Sequence, residues 1–273
     1  MKKRNTFRLH SRVAQLVLML ISAGVALALW HFAGVFSDFP SFILPRPSDV
    51  WRKLLQVLSS GMLLYHTAIT LGEVLLGLVL GVGTATVIGY VLAKSPTVEY
   101  LLSPYIVASQ SAPTVAIAPL LVIWFGPGLL SKVLVAGLIV FFPVLVNTIV
   151  GIRSVSDDLF NLMRSLRATR WQTLRYLEIP AAMPVLLGGL RIGATMAVIG
   201  AVVGEFVGSD RGLGFLINVG KGMYDTSLVF VSMFTLIAMA MILYGLVTYL
   251  ENSLLAWQKK PSGDKINPPV SNS

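Results

Sequence analysis

Two carboxylates lie inside segments that are otherwise apolar, and they are the first residues that indicate chemistry. Glu73 falls in the middle of one apolar run and Glu205 near the end of another. An ionisable side chain within a bilayer is costly, and such residues mark a solute pathway or pair with a neighbouring helix. Both roles are open here, since the two glutamates can line a pathway or its outer gate, or can hydrogen-bond between helices.

Two amide side chains extend this candidate set. Gln110 lies close to Pro113, where a proline can open the backbone of an apolar run, and Asn147 lies in the middle of the next run. Their amides can bind a polar solute, or they can form hydrogen bonds between helices. We therefore take Glu73, Gln110, Asn147 and Glu205 as the candidate pathway residues.

Composition and motifs exclude several other kinds of chemistry. The chain has no cysteine and only three histidines, so neither thiol chemistry nor a metal site is expected. Gly220-Lys221 lacks the earlier glycine and the following Ser or Thr of a phosphate-binding loop. No HExxH motif or nucleophile elbow is present. We expect no catalytic residue and no cofactor in this chain, so any ATP must be bound by a partner subunit.

The elements that must position these residues are membrane-spanning helices. The 273 residues are 55% apolar and 12% charged, with a mean hydropathy of +0.79. A bilayer requires about 20 consecutive apolar residues per helix. Six runs fit this length: 13–36, 66–93, 105–125, 132–151, 184–208 and 228–250. The sequence therefore predicts an all-α membrane protein with six transmembrane helices in a domain covering 13–250.

Basic residues predict the orientation of these helices. The segments 1–12, 94, 153–182 and 251–273 hold fourteen lysines and arginines, whereas the alternate segments hold six. Because cytoplasmic segments are enriched in Lys and Arg, both termini are predicted to be cytoplasmic. The same rule explains the net charge of +9 without any nucleic-acid partner. The polar, Pro- and Ser-rich tail 251–273 is predicted to be disordered.

Two further patterns concern the packing of the helices. A short interfacial helix capped by Ser48 is predicted in the outer segment, with Trp51 at the membrane surface. Gly77 and Gly81 have GxxxG spacing, which allows close contact between helices, although glycine is also simply common in spanning helices. Arg191, near the cytoplasmic end of its run, is expected to extend its guanidinium to the interface.

A polar, arginine-rich island covering residues 157–184 interrupts the apolar pattern. Two acidic residues at its start favour a helix N-terminus, and three apolar residues, Leu159, Met163 and Leu166, share one helical face. Thr169 and Gln172 form a capping box that begins a second helix, which Pro180 is predicted to end. A solvated basic loop would explain the arginines but not this ordered pattern. The island therefore indicates a docking surface for a soluble partner.

The island resembles the signature of the permease subunits of bacterial binding-protein-dependent ATP-binding-cassette (ABC) importers. That signature is Glu-Ala-Ala, three residues, Gly, nine residues and Ile-x-Leu-Pro. It aligns with residues 161–163, with Arg167 and with residues 177–180. The chain lacks the Glu-Ala-Ala element and has arginine at the family's glycine, whereas the spacing and Pro180 are kept.

Other segments resemble narrower groups within that family. FILPRPSDVW, SQSAPTVAIAPLLVIWFGPG, FFPVLVNTIVGIRS and GEFVGSDRGLGFLI are similar to permeases for taurine, alkanesulfonates and nitrate. SLRATRWQTLRYLEIPAAMP and VVGEFVGSDRGLG are similar to permeases for riboflavin or the pyrimidine precursor of thiamine. A stand-alone secondary transporter or channel is one alternative class, but no convincing internal repeat supports it. An intramembrane enzyme is another, but no set of nucleophile and base is visible.

The resemblance implies a type I importer permease in the bacterial inner membrane, with the loop 153–182 carrying a cytoplasmic coupling helix. It further implies a homodimer that works with two ATPase subunits, an extracytoplasmic substrate-binding protein and membrane lipid. The residues expected to contact the ATPase are Asp158, Leu159, Met163, Arg164, Arg167, Ala168, Arg170 and Pro180. An Arg167→Gly change is expected to weaken the helix by about 1 kcal/mol.

Overall fold

The computed structural model describes residues 12–36, 40, 42–111 and 114–256. Every regular element in these ranges is helical. Five of the helices in this part of the chain are long and apolar enough to cross a membrane. They are α1 (Arg12–Phe36), α3 (Met62–Lys94), α6 (Leu129–Arg153), α9 (Ile179–Gly208) and α11 (Thr226–Leu254). Most of the basic N-terminus and the segment 257–273 lie outside the described residues, so the predicted disorder of the tail stays a prediction.

The third predicted span falls on two helices of the described residues. Its region is occupied by α4 (Pro96–Ser111) and α5 (Thr114–Phe125), and Pro113 lies outside the described residues between them. The helix α4 begins nine residues before the predicted run because Pro96 occupies a helix N-terminus, where its missing N–H has no cost. The helix α5 has 12 residues, too few to cross a bilayer unaided.

One compact unit comprises residues 1–69 and 210–237. It contains α1, α2 (Pro47–Ser59), α10 (Leu213–Gly222) and the first turns of α11. The Trp30 indole N–H donates to the Pro45 carbonyl at 3.1 Å, and its ring stacks on Phe230 with 5.3 Å between centroids. Lys53 on α2 pairs with Asp225 at 2.5 Å. These contacts join α1 and α2 to the start of α11.

The helix α2 begins differently from the prediction. Arg46 is its N-cap and Pro47 its first residue, so Ser48 lies inside the first turn and is not the cap. Proline has a φ that suits this first position and lacks only an N–H that the helix does not use. Val50 and Val57 are buried, whereas Trp51 is exposed.

The second compact unit comprises residues 70–209 and 238–273. Its α6 and α9 pack along each other, with α5 against both. A Cβ atom added at Gly77 would lie 2.4 Å from the Ala136 Cβ, and one at Gly81 would lie 2.6 Å from the Gly137 carbonyl oxygen. Because any other residue at these two positions would clash with α6, the two glycines allow α3 to approach α6 closely. This GxxxG pair is therefore a packing site.

The island folds in the second unit as α7 (Asp157–Ser165), α8 (Arg170–Thr173) and a π-helical turn, Leu174–Glu178, that leads directly into α9. Pro180 does not end a helix, as the sequence had predicted. It is in the first turn of α9, where its missing N–H is tolerated, and the wider π turn before it absorbs the change in hydrogen-bond register. The island thus continues into a membrane helix without a break.

Candidate coupling surface and buried charge cluster

Hydrogen bonds at the C-terminus of α7 form a Schellman motif. The Ala168 amide donates to the Met163 carbonyl at 3.0 Å, and the Arg167 amide donates to the Arg164 carbonyl at 2.9 Å. This pattern needs a left-handed residue just after the helix, and Arg167 has a φ of 52°. Glycine adopts that conformation most easily. The position at which the family signature has glycine is therefore the one at which the backbone requires a positive φ.

The start of α8 has the capping box that the sequence predicted. The Gln172 amide donates to the Thr169 hydroxyl oxygen at 3.3 Å, and the Thr169 amide donates to the Gln172 side-chain oxygen at 2.7 Å. Asp157 and Asp158 occupy the first turn of α7, also as predicted. The island therefore has two defined helix ends with the four residues 166–169 between them, which is typical of an ordered surface.

The exposed side of this island combines apolar and basic residues. No residue of α7 is buried, and Leu159, Leu162 and Leu166 have exposed fractions of 43%, 54% and 68%. Met163, which the sequence grouped with Leu159 and Leu166, is half-buried, so Leu162 takes its place in the exposed apolar strip. We call these three leucines with the exposed Arg167 and Arg170 the island strip, whereas Arg164, also exposed, projects from α7 towards the side of Phe160.

The other predicted coupling residues differ in their exposure and in their distance along the chain from this strip. Asp158 is exposed in the first turn of α7, and Ala168 is half-buried after the Schellman motif. Pro180 is half-buried in α9, separated from the strip in sequence by α8 and the π turn.

The two membrane glutamates of the second unit meet in one buried cluster. Glu73 on α3 and Glu205 on α9 each have an exposed fraction of 1%. The Thr70 hydroxyl donates to the Glu205 carboxylate at 2.6 Å. Two carboxyl groups buried this completely need a nearby cation, a proton on one of them, or both, because an isolated ionised group in a low-dielectric interior is strongly disfavoured.

Lys132, the first residue of the predicted run 132–151, places a cation beside them. Its ammonium lies 3.2 Å from the Glu73 carboxylate and donates to the Ser209 hydroxyl at 2.6 Å, and the residue is 4% exposed. The second Glu73 oxygen, Oε2, is buried without a hydrogen bond among the described residues. The expectation that a buried charge is paired could have suggested Lys132, although the sequence offers several other lysines and arginines.

The remaining candidate pathway residues are not part of this cluster. Asn147 donates its side-chain amide to the Pro143 carbonyl in its own helix at 2.8 Å, and it packs where Gly189 leaves room on α9. Gln110 is in α4, and its side chain lies outside the described part of the structure. Whether any of the four lines a solute pathway stays a prediction.

Arg191 is held by partners inside the second unit. Its guanidinium pairs with Glu251 and lies 5.4 Å from the centre of the Tyr244 ring, both on α11. The arginine is half-buried, so the expected free extension to the interface is replaced by an ion pair between α9 and α11.

Comparison with known families identifies the kind of protein that carries these features. The profile of the family "Binding-protein-dependent transport system inner membrane component" matches residues 77–256, which include the island, α6 to α11, and Lys132 and Glu205 of the buried cluster. The chain belongs to this family. It is a multi-pass membrane permease subunit of an ATP-driven ABC importer, and it is not an enzyme.

Curated relatives align over most of the permease. The riboflavin transport system permease protein RibX of Chloroflexus aurantiacus is 47% identical, covering 85% of this chain and 87% of its own. The formylaminopyrimidine transport permease protein ThiX of Halalkalibacterium halodurans is 33% identical, over 86% and 93%. The taurine transport system permease protein TauC of Escherichia coli is 30% identical, over 92% and 96%.

Solved structures support the fold. An amino acid ABC transporter chain superimposes with a TM-score of 0.57 at 20% identity, covering 76% of the permease and 98% of that chain. A chain of the MetNI methionine ABC transporter gives the same TM-score at 17% identity, over 76% and 94%. At these identities the likeness concerns the fold alone.

Proposed function

We propose that this permease imports riboflavin, or a closely related heteroaromatic vitamin precursor. The observation that carries the proposal is the 47% identity to the riboflavin permease RibX across 85% of the chain. The relative named for formylaminopyrimidine is 33% identical, and those named for aliphatic sulfonates and taurine are 32% and 30% identical. Thiamine-precursor import is therefore the nearer alternative, and import of taurine, alkanesulfonate or nitrate is the more distant one.

We further propose that two copies of the permease form the pathway and that both termini and the loop 153–182 are cytoplasmic. Fourteen basic residues on the predicted cytoplasmic segments against six on the others support this orientation. A sixth spanning element would come from the region of α4 and α5, because an even number of crossings is needed to return the chain to the cytoplasmic side.

The island strip is proposed as the surface that docks into an ATPase subunit. Three leucines are exposed on a helix whose other residues are mainly polar, and such apolar residues are normally covered by a partner. Two arginines on the same strip can pair with carboxylates at the rim of a groove. The Schellman motif and the capping box hold the backbone in place before docking, which lowers the entropy lost on binding.

The solute is best tested on the substrate-binding protein that works with this permease, because in an importer of this family that protein delivers the solute to the membrane. Thermal unfolding of that protein would be measured with riboflavin, formylaminopyrimidine, taurine and nitrate. We expect riboflavin to raise the midpoint most, since a ligand that binds only the folded state stabilises it by mass action. A rise with taurine or nitrate alone would overturn the vitamin assignment and leave the importer assignment intact.

A further inference from the structure

Three elements of the second unit converge on one lysine at the end of α3. The Lys94 ammonium donates to the Glu178 carboxylate at 2.7 Å, and Glu178 is the last residue of the π turn that leads into α9. The same ammonium lies 4.8 Å from the centre of the Phe160 ring, which belongs to α7. A cation at this distance from a ring face is attracted by its quadrupole. Lys94, the last residue of α3, therefore contacts both the turn that leads into α9 and the helix α7 of the island.

The contact with Glu178 is deeply enclosed. Glu178 is 3% exposed, and its second carboxylate oxygen has no hydrogen bond among the described residues. No other cation of the described residues forms an ion pair with it. Removing Lys94 would leave a buried carboxylate without its counter-charge, which is far more costly than losing an exposed pair.

The contact with Phe160 is on the opposite side of α7 from the exposed leucines. An α-helix turns about 100° per residue, so Phe160 projects well away from the face shared by Leu159 and Leu166. Phe160 is half-buried whereas those leucines are exposed. One side of α7 is therefore free for a partner while the other side is held by Lys94.

We propose that Lys94 is the positioning residue that ties the island to α3 and α9, so that a force applied to α7 moves both membrane helices together. The inference rests on the proposed docking of the ATPase at the island strip. The π turn explains why such a contact is needed. It interrupts the regular hydrogen-bond ladder at the point where the island joins α9. Without the ionic contact this turn could flex, and movement of α7 would be lost before it reached the pathway.

The first test uses the permease alone in lipid nanodiscs. The chain has no cysteine, so Thr84→Cys on α3 and Ser165→Cys on α7 give a single pair of exposed sites for spin labels. We expect Lys94→Met to broaden the distance distribution between the labels and Lys94→Arg to preserve it. Glu178→Gln removes the ion pair without leaving a buried charge and should broaden the distribution too, even where Lys94→Met gives too little folded protein. Arg191→Met is the matched control, because its partner Glu251 is on α11 and not on the island.

An unchanged distribution in both Lys94→Met and Glu178→Gln would overturn the proposed tie. So would broadening in Arg191→Met to the same extent, because the effect would then be a general loosening of the helices. Neither result depends on the ATPase or on the solute, so failure of the tie can be told apart from failure of the proposed function.

The second test uses the complete importer in liposomes with riboflavin-loaded binding protein. Lys94→Met should still bind the ATPase subunits but transport less riboflavin for each ATP hydrolysed. The expected decrease is roughly twofold to thirtyfold, the range produced by mutations between coupled sites. An unchanged ratio would overturn the proposal. If the unmodified importer moves no riboflavin, the substrate assignment fails and the spin-label comparison decides the tie.

Discussion

The Ala168 amide donates to the Met163 carbonyl across the end of α7, and this bond requires Arg167, the residue just before Ala168, to adopt a left-handed conformation with a φ of 52°. An arginine in that conformation has a steric cost of about 1 kcal/mol or more that a glycine does not have. The expectation that Arg167→Gly weakens the helix is therefore wrong, because Arg167 is outside the helix at its cap.

Arg167→Gly should stabilise the end of α7. We expect a gain of about 1 kcal/mol, which slows hydrogen exchange of the α7 amides by about fivefold where exchange occurs by local opening. The measurement is hydrogen–deuterium exchange of the peptide covering residues 157–168. Arg167→Ala is the control, since it removes the same charge and keeps the strain. Equal exchange in the Gly and Ala variants would contradict this account of the cap.

Reversing the charge of Arg167 tests the proposed docking surface. Arg167→Glu should place a carboxylate beside the acidic groups expected on the ATPase groove, at a cost of about 2–5 kcal/mol for a desolvated pair. Co-purification of the ATPase subunit from membranes should then be lost. Arg175→Glu makes the same change on an exposed residue of the π turn, outside the island strip, and should retain the ATPase. Wild-type recovery with Arg167→Glu would move the docking surface elsewhere on the island.

The local features of the island could be read from the sequence, whereas its junction with α9 could not. Thr169 and Gln172 have a fixed spacing that specifies a capping box, and Asp157 and Asp158 favour a helix start, because these interactions span only a few residues. The prediction that Pro180 ends a helix is wrong because proline is compatible both with the end of one helix and with the first turn of the next. The π turn that decides between them has no comparable sequence signal.

The sequence did not predict which distant residues pair with one another in the fold. Glu73 and Glu205 could be singled out because charge is rare in apolar segments. Their partner Lys132 is far from both in the chain, and only the packing of α3, α6 and α9 brings the three together. The five long helices could be predicted from apolar length alone, whereas the region of α4 and α5 could not, because prolines and short apolar runs fit more than one arrangement.

Removing Lys132 should harm the permease more than removing either glutamate charge. Lys132→Met leaves two buried carboxyl groups without a cation and should destabilise the fold by about 3–5 kcal/mol. Glu73→Gln should be milder, and the double variant should recover part of the loss. The midpoint of thermal unfolding in detergent measures all three, with Glu99→Gln as a control at the more exposed pair with Arg153. No recovery in the double variant would contradict a charge-balanced cluster.

Uptake distinguishes a pathway role for the glutamates from a purely structural one. Glu73→Gln and Glu205→Gln change the volume little, and if the carboxylates line the pathway, each should lower riboflavin uptake while the ATPase still co-purifies. Uptake is measured with radiolabelled riboflavin in cells that express the complete importer. Uptake at the wild-type level for both variants would leave the cluster with a role in helix packing alone.

The close contact between α3 and α6 can be tested by two glycine substitutions on α3, one at the contact and one away from it. Gly77→Ala would place a methyl group 2.4 Å from the Ala136 Cβ, so the helices must separate, at a cost of about 1–3 kcal/mol. Gly83→Ala meets no atom within 4 Å and should instead stabilise α3 by up to about 1 kcal/mol. Unfolding midpoints in detergent should therefore shift in opposite directions, and a parallel shift would contradict the close approach.

The orientation of the permease can be tested directly, because the chain has no cysteine of its own. Ser165→Cys on the island and Ser60→Cys after α2 are both exposed and each provides one site for an impermeant maleimide. If both termini are cytoplasmic, Cys at position 60 should react in intact cells and Cys at position 165 only after permeabilisation. Denaturation before labelling is the control for access, since both sites must then react equally. The opposite pattern would invert the membrane orientation and place the island strip where no ATPase could reach it.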